Sequence, residues 1–146
     1  MKAFFEFDPL STGTEGLVYI GDKLLVYRGD DKTTEWPLSI DLPGGGKENN
    51  ETPFETFSRE INEEFSLTIT KSAITYSKRY PSTLNKCKFG HFAVAKLGVE
   101  QKQHIQLGSE GIESISMTQD DYLARKDAWP IFQERSAEYQ KSLCNS

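Results

Sequence analysis

Residues 52–65, TPFETFSREINEEF, constrain the fold more than any other segment because they carry several helix signals at once. Thr52 suits the N-cap position, Pro53 suits the first helical residue, and Glu55 can complete a capping box with Thr52. At about 100° per residue, four large apolar residues then share one stripe of the helix: Phe54, Phe57, Ile61 and Phe65. The sequence therefore predicts an amphipathic helix that packs on a hydrophobic sheet.

Three glutamates, Glu60, Glu63 and Glu64, lie together on the face next to this apolar stripe. Like charges three and four residues apart repel each other, and each pair destabilises a helix by about a few tenths of a kcal/mol. A bound cation would remove this repulsion. Mg²⁺ suits such a face because it prefers hard oxygen ligands, keeps several waters and binds substrate phosphates. A solvated acidic face is the alternative for three glutamates taken alone.

The residues around these glutamates follow the spacing G-x5-E-x7-R-E-U-x-E-E-x-G-U, in which U is an apolar residue. The matching residues are Gly45, Glu51, Arg59, Glu60, Ile61, Glu63, Glu64 and Leu67. Only Ser66 departs from the pattern, where it replaces the second glycine. The probability that so many fixed positions agree by chance is very small. The pattern therefore argues against a merely solvated acidic face. Residues 45–67 resemble the Nudix box, and through them the chain resembles the Nudix hydrolases.

The resemblance implies an α/β fold, an α/β/α sandwich with a mixed β-sheet in which the box forms a loop, a helix and a loop. Alternating apolar residues and turn signals elsewhere fit such a sheet. Strands are predicted at residues 4–7, 17–20, 23–27, 38–42, 73–80, 88–97, 104–107 and 112–117, and further helices after Thr118 and over residues 127–143. No repeat or linker divides the chain, so residues 1–146 are expected to form a single Nudix domain.

The resemblance also implies roles for the residues of the box. Glu60, Glu63 and Glu64 are expected to bind Mg²⁺ or Mn²⁺, with the Gly44 carbonyl as an additional ligand. Arg59 is expected to orient the glutamates through ion pairs, and Glu51 to have a structural role. Gly45 and Gly46 allow the backbone to approach a metal or a phosphate closely.

A further glutamate from a loop after the box is common in the family. Glu110 is the first candidate for this catalytic role and Glu113 is the second, although either residue also fits a solvated loop. Among Glu64, Glu60 and Glu110, the sequence leaves open which carboxylate acts as the general base.

Substrate contacts are expected outside the box. Arg28 is a candidate phosphate ligand, and Trp36 is a candidate for stacking on a nucleobase. Tyr27, Tyr80 and Trp129 could also stack on a base, but packing is the more common role for all four of these aromatic residues.

Ser66 is the one departure from the box. The glycine usually found there suits a helix C-cap in the left-handed region, where another residue costs roughly 1 kcal/mol. The substitution removes no metal ligand, so it is expected to affect the geometry of the helix end more than the chemistry.

Charge and composition narrow the partners and the location. The net charge of −5, with no Lys/Arg cluster, disfavours nucleic acids and anionic membranes as partners. No apolar stretch is long enough for a transmembrane helix. Cys87 and Cys144 form no CxxC pair and no secretory signal precedes them, so a cytoplasmic protein with reduced thiols is expected. Many family members form dimers, which leaves a homodimer open.

The predicted function is a Mg²⁺-dependent pyrophosphatase. It would cleave the diphosphate bond of a nucleoside diphosphate linked to another moiety, through attack of water on phosphorus, with a small nucleotide as substrate. One alternative is a catalytically silent Nudix-fold domain that senses nucleotides, although such domains typically lose acids of the box. The other is an isoprenoid diphosphate isomerase, which the sequence context of Cys87 does not fit.

Overall fold

The computed structural model describes residues 1–31, 36–109 and 111–144. The strands are β1 (Ser11–Ile20), β2 (Lys23–Gly29), β3 (Ile40–Asp41), β4 (Gly44–Gly46), β5 (Ile74–Pro81), β6 (Phe89–Leu97) and β7 (Gly111–Met117). The α-helices are α1 (Pro53–Phe65), α2 (Gln119–Ala124) and α3 (Pro130–Cys144). Short 3-10 helices cover Lys2–Phe5, Lys71–Ala73 and Val99–His104. Among the described residues, no helix has the length and apolar character needed to cross a membrane.

All of these strands join one mixed sheet. Its main strand order is β3-β2-β1-β6-β5, with β4 paired to β1 and β7 paired to β2. The long pairing of β1 with β6 is parallel, whereas the other pairings are antiparallel. Helix α1 packs on one face of the sheet, and α2 and α3 pack on the other. This architecture confirms the predicted α/β/α sandwich.

Alternation along the strands divides the core into two layers. On β1, Val18 belongs to the layer under α1, and its neighbour Leu17 belongs to the layer under α2 and α3. The predicted apolar stripe of α1 is confirmed, since Phe57, Ile61 and Phe65 are fully buried in the first layer. The stripe fixes the rotation of α1 on the sheet, and this rotation determines where the acidic face points.

The start of α1 is capped as the sequence predicts. The Glu55 N–H donates to the Thr52 hydroxyl at 3.1 Å, and the Thr52 N–H donates to the Glu55 carboxylate at 2.9 Å. Gly21 and Asp22 join β1 to β2, and the helix predicted after Thr118 is α2.

Two predicted strands are wrong. Residues 2–5 form a 3-10 helix, because burial of Phe4 against Phe54 and Phe57 fixes the segment beneath α1. Residues 104–107 form no strand, because their backbone caps the end of α1 instead of pairing with the sheet. The Gln106 N–H donates to the Phe65 carbonyl at 2.9 Å. This contact satisfies a carbonyl group that a helix end leaves without a partner.

Ser66 occupies the left-handed conformation that its place in the box predicts. It is the C-cap of α1, with φ 60° and ψ 28°. Its hydroxyl donates to the Gln106 carbonyl at 3.2 Å and so joins the helix end to the following loop. The serine therefore combines a strained backbone with a hydrogen bond that glycine could not make.

Ser66→Gly is expected to raise the free energy of unfolding by about 0.5–1 kcal/mol, because relief of left-handed strain outweighs loss of one exposed hydrogen bond. Ser66→Ala keeps the strain and loses the hydrogen bond, so it is expected to be less stable than the parent. Urea unfolding of the two variants measures both effects. Changes of the same sign and size in the two variants would contradict this interpretation of the C-cap.

Candidate active site

A glycine turn brings the backbone directly beneath the acidic face of α1. Strand β4 pairs antiparallel with β1, so that Gly44 lies opposite Glu15. Gly44 has φ 136°, a conformation that favours glycine. A β-carbon on Gly45 would lie 2.5 Å from the carboxyl carbon of Glu60, so a side chain at this position would displace the Glu60 carboxylate from the turn. The side chain of Glu60 therefore rests against the bare backbone of the turn.

The guanidinium group of Arg59 organises the acidic face. It donates to Glu51 at 2.8 Å, to Glu60 at 2.9 Å and to the Gly46 carbonyl at 2.7 Å. Longer contacts of 3.3 Å reach Glu63. The hydrogen bonds to Glu51 are the largest cause of a raised pKa of Arg59, which keeps the guanidinium charged. Arg59 thus orients the glutamates, and Glu51 anchors Arg59.

The three glutamates of α1 have different environments. Glu64 is buried, and its carboxylate accepts hydrogen bonds from the Gly44 N–H at 3.1 Å and the Tyr27 hydroxyl at 3.3 Å. The side chain of Glu60 is 13% exposed, whereas that of Glu63 is 56% exposed. The acidic face therefore runs from a buried carboxylate beside the turn to an exposed one that is paired with Arg59.

The donors of this face suit a hard divalent cation. Carboxylates and the backbone carbonyl of the turn are the oxygen ligands that Mg²⁺ and Mn²⁺ prefer. Among the described residues, no three acidic, histidine or cysteine side chains already converge on one metal position. The reason is that Arg59 holds Glu60 and Glu63, while Gly44 and Tyr27 hold Glu64. A cation could replace Arg59 as the partner of the exposed carboxylates.

A cavity of about 360 Å³ opens next to the glycine turn, on the side of the sheet covered by α3. Gly44 and Tyr27 line its end near the acidic face, and Trp129 and Phe132 line its wall at the start of α3. The ring of Trp36 contacts that of Trp129 edge-on, with centroids 5.3 Å apart. The structure thus places Trp36 against Trp129, which itself faces the cavity.

Two acidic residues that the sequence did not single out, Glu15 and Asp41, line the same cavity. Burial raises the pKa of Glu15 to about 7, and the negative charge of Glu60 adds to the rise while Arg135 opposes it. Burial raises the pKa of Asp41 to about 6. Carboxyl groups that burial destabilises in this way are typical of binding and catalytic sites. Asp41 could have been suspected from the sequence, because it directly precedes Leu42, Pro43 and the glycine turn. The sequence around Glu15 gives no such indication.

The remaining candidates lie away from the turn or outside the described residues. Arg28 donates to the Leu38 carbonyl at 2.8 Å and forms ion pairs of 3.3 Å with Glu113 and Asp127. Arg28 and Glu113 thus contact each other, and the proposed roles of both residues stay predictions. Glu110 falls outside the described residues.

Comparison with known proteins agrees with the box. A family model of the NUDIX domain matches residues 15–137, so the chain belongs to the Nudix hydrolase family. The MutT protein from Methanosarcina mazei Go1 has 18% identity and a TM-score of 0.72, with 94% of this chain and 98% of that chain covered. A C. elegans Ap4A hydrolase in a binary complex has 18% identity and a TM-score of 0.68, with 92% and 99% covered.

A third similar structure is a bifunctional NMN adenylyltransferase/ADP ribose pyrophosphatase from Francisella tularensis, complexed with AMP and a Mn ion. It has 16% identity and a TM-score of 0.60, and the match covers 84% of this chain and 36% of that chain. At these identities the three structures show a shared fold. A search of curated proteins found no match.

Glu15→Gln is expected to raise the free energy of unfolding by about 1–2 kcal/mol at pH 8, after allowance for solvent screening, and to leave it nearly unchanged at pH 4. The folded-state pKa of Glu15, about 7, lies above its ordinary value of 4.5. The unfolded chain therefore ionises first, and the parent protein loses stability as the pH rises between these values. Urea unfolding in EDTA across this range measures the difference.

The matched control is Glu134→Gln, which changes an exposed acid of α3. It is expected to show no gain in stability at high pH. A Glu15→Gln variant that is less stable than the parent at pH 8, or equally shifted at all pH values, would contradict the unfavourable burial of this carboxyl group.

Proposed function

We propose that this protein is a pyrophosphohydrolase that depends on Mg²⁺ or Mn²⁺. It would cleave the diphosphate linkage of a nucleoside diphosphate joined to another group, through attack of water on phosphorus. The observation that carries the proposal is the convergence of the acidic face of α1, oriented by Arg59, on the glycine turn and the adjoining cavity. Gly44 thus lies between the acidic face, which would bind the metal, and the cavity, which would bind the organic group.

Glu60, Glu63 and Glu64 would hold the metal, with the Gly44 carbonyl as a further ligand. When bound, Mg²⁺ or Mn²⁺ neutralises phosphate charge and lowers the pKa of a coordinated water. The hydrogen bond from the Gly44 N–H fixes the Glu64 carboxylate, which favours its charged form and its orientation toward the turn. The general base would be one of Glu60, Glu64 and Glu110.

The chain's own residues would position the substrate. The diphosphate would lie beside the backbone of Gly45 and Gly46, next to the Glu60 carboxylate that rests on this turn. An organic group would extend into the cavity between Tyr27 and Trp129, whose aromatic rings suit a nucleobase or a sugar face. Arg28 and Trp36 would support this pocket from behind, through Asp127 and Trp129.

The names of similar structures support a nucleotide substrate, since one acts on Ap4A and another was solved with AMP and a Mn ion. We further propose a cytoplasmic location, supported by the two cysteines, which are exposed free thiols. A nucleotide sensor without activity remains the second candidate from the sequence. The presence of every acid of the box, held in one cluster, argues for turnover instead.

Glu60→Gln and Glu64→Gln are each expected to lower kcat by at least about 100-fold. Loss of a residue that only supports a metal ligand lowers activity by about 10–100-fold, and loss of a charged ligand itself is expected to cost more. The assay measures mononucleotide release from a panel of ADP-ribose, nucleotide sugars, dinucleoside polyphosphates and nucleoside triphosphates. Glu55→Gln is the matched control on the same helix, since glutamine also completes a capping box. Unchanged turnover in Glu64→Gln would contradict the site.

Removal of divalent metal with EDTA is expected to abolish turnover, and addition of Mg²⁺ or Mn²⁺ in excess is expected to restore it, because the acidic face alone repels a diphosphate. Turnover in EDTA equal to that in Mg²⁺ would contradict a metal-dependent mechanism. Saturable nucleotide binding with no turnover of any compound in either condition would favour the sensor.

A further inference from the structure

Arg135 of α3 is a buried arginine that no described carboxylate neutralises through an ion pair. Its residue is 8% exposed, and its Nε has no hydrogen-bond partner in the described part of the chain. Burial of a charged group without a direct partner is unfavourable. An arginine in this setting therefore indicates either compensation by aromatic packing or a missing anionic partner.

The surroundings of Arg135 provide packing but leave hydrogen-bond donors unused. The guanidinium carbon lies 4.4 Å from the centre of the Tyr80 ring and 5.8 Å from that of Phe132. Glu15 and Glu138 feel its positive charge, although neither forms an ion pair with it. Aromatic contact stabilises the charge through the ring faces. It gives no acceptor to the N–H groups of the guanidinium.

Arg135 borders a second cavity of about 210 Å³, which adjoins the cavity beside the glycine turn and shares Glu15 and Phe132 with it. Thr12, Ser82 and Thr83 line the same space. The Thr12 hydroxyl already donates to the Phe89 carbonyl at 3.1 Å. The Ser82 hydroxyl accepts from two backbone N–H groups at 3.2 and 3.3 Å, which leaves its own proton for a ligand. The second cavity is therefore lined by the buried charge of Arg135 and by the Ser82 hydroxyl, which can donate to a ligand.

We propose that Arg135 binds an oxyanion, a phosphate ester or a carboxylate, on the organic group of the substrate. The protein would then prefer nucleoside diphosphate compounds that carry a second anionic group remote from the cleaved bond. The planar guanidinium fork matches both kinds of oxyanion in a bidentate arrangement. This inference rests on the proposed function, because it assigns the far end of the same substrate pocket.

The position of Arg135 on α3, over Gly90 of β6, places this anion away from the cleaved diphosphate. Its Nη1 lies over Gly90, 3.9 Å from where a β-carbon would be, and Gly90 pairs with Gly13 of β1. Gly44 pairs with Glu15 on the other side of β1. Gly46 pairs with the same Gly13, so two strand spacings separate Gly90 from Gly46 by roughly 10 Å, and Gly44 lies two residues further along its strand. The anion would therefore belong to the attached moiety, with Glu15 between the two sites.

The kinetic test uses two pairs of compounds in the presence of Mg²⁺. NADP and NAD differ by a phosphate ester, and UDP-glucuronic acid and UDP-glucose differ by a carboxylate. The parent protein is expected to show a KM at least about 10-fold lower for the anionic member of one pair, which identifies the oxyanion. Arg135→Gln is expected to remove this preference by raising that KM, with little change in kcat.

Controls separate binding from folding. Arg79→Gln removes an exposed arginine that pairs with Asp8 at 3.0 Å, and it is expected to keep the preference. Ser82→Ala, in an exposed loop, is expected to weaken binding of the anionic member alone, by about 3-fold or more. If Arg135→Gln does not fold, Ser82→Ala and Arg135→Lys provide the same selective readout. A parent protein without preference in both pairs, or variants that affect both members equally, would overturn the proposal.

Direct binding separates this inference from the proposed function. In the full chain with EDTA, titration with inorganic phosphate or acetate is expected to shift the NMR signal of the Arg135 Nε–H, with saturation, and not that of Arg79. Anion binding at Arg135 without hydrolysis of any compound would contradict the proposed function but support the anion site. Hydrolysis without either anion binding or anion preference would overturn the anion site alone.

Discussion

The hydrogen bonds of Arg59 are the interaction on which the rest of the site depends. One guanidinium group joins Glu51 before the helix, Glu60 and Glu63 on the helix, and the carbonyl of Gly46 in the turn. The positive charge of Arg59 offsets the repulsion between these carboxylates, and its hydrogen bonds fix their positions on one face. Because Glu51 precedes the helix, Arg59 also ties the loop to the helix, so the capping box and the acidic face form one structural unit.

The sheet positions the acidic face of α1 against the glycine turn. The apolar stripe of α1 sets the rotation of the helix, and the pairing of β4 with β1 places the glycine turn under Glu60 and Glu64. The same pairing sets Glu15 beside Gly44, on the face that α3 covers. The acidic face of α1 and the cavity thus lie on opposite sides of one short strand.

The sequence predicts the local parts of this arrangement and misses the parts that form through tertiary contact. Arg59, Glu60 and Glu64 are predictable because helical spacing alone places them together. Glu15 lies before the predicted start of its strand. Arg135 reaches the second cavity only because α3 packs on the sheet, and the sequence does not predict this contact. The error at residues 104–107 has the same origin, since Ile105 and Leu107 pack against the core of α1 while their segment caps that helix.

Anomalous diffraction from crystals soaked in Mn²⁺ would locate the metal directly. Manganese peaks are expected within about 2.0–2.6 Å of carboxylate oxygens of Glu60 and Glu64, close to the Gly44 carbonyl. Glu63 is expected to leave Arg59 for the ion. Manganese bound elsewhere, with the contacts of Arg59 unchanged and the turn empty, would show that the acidic face of α1 is not the metal site.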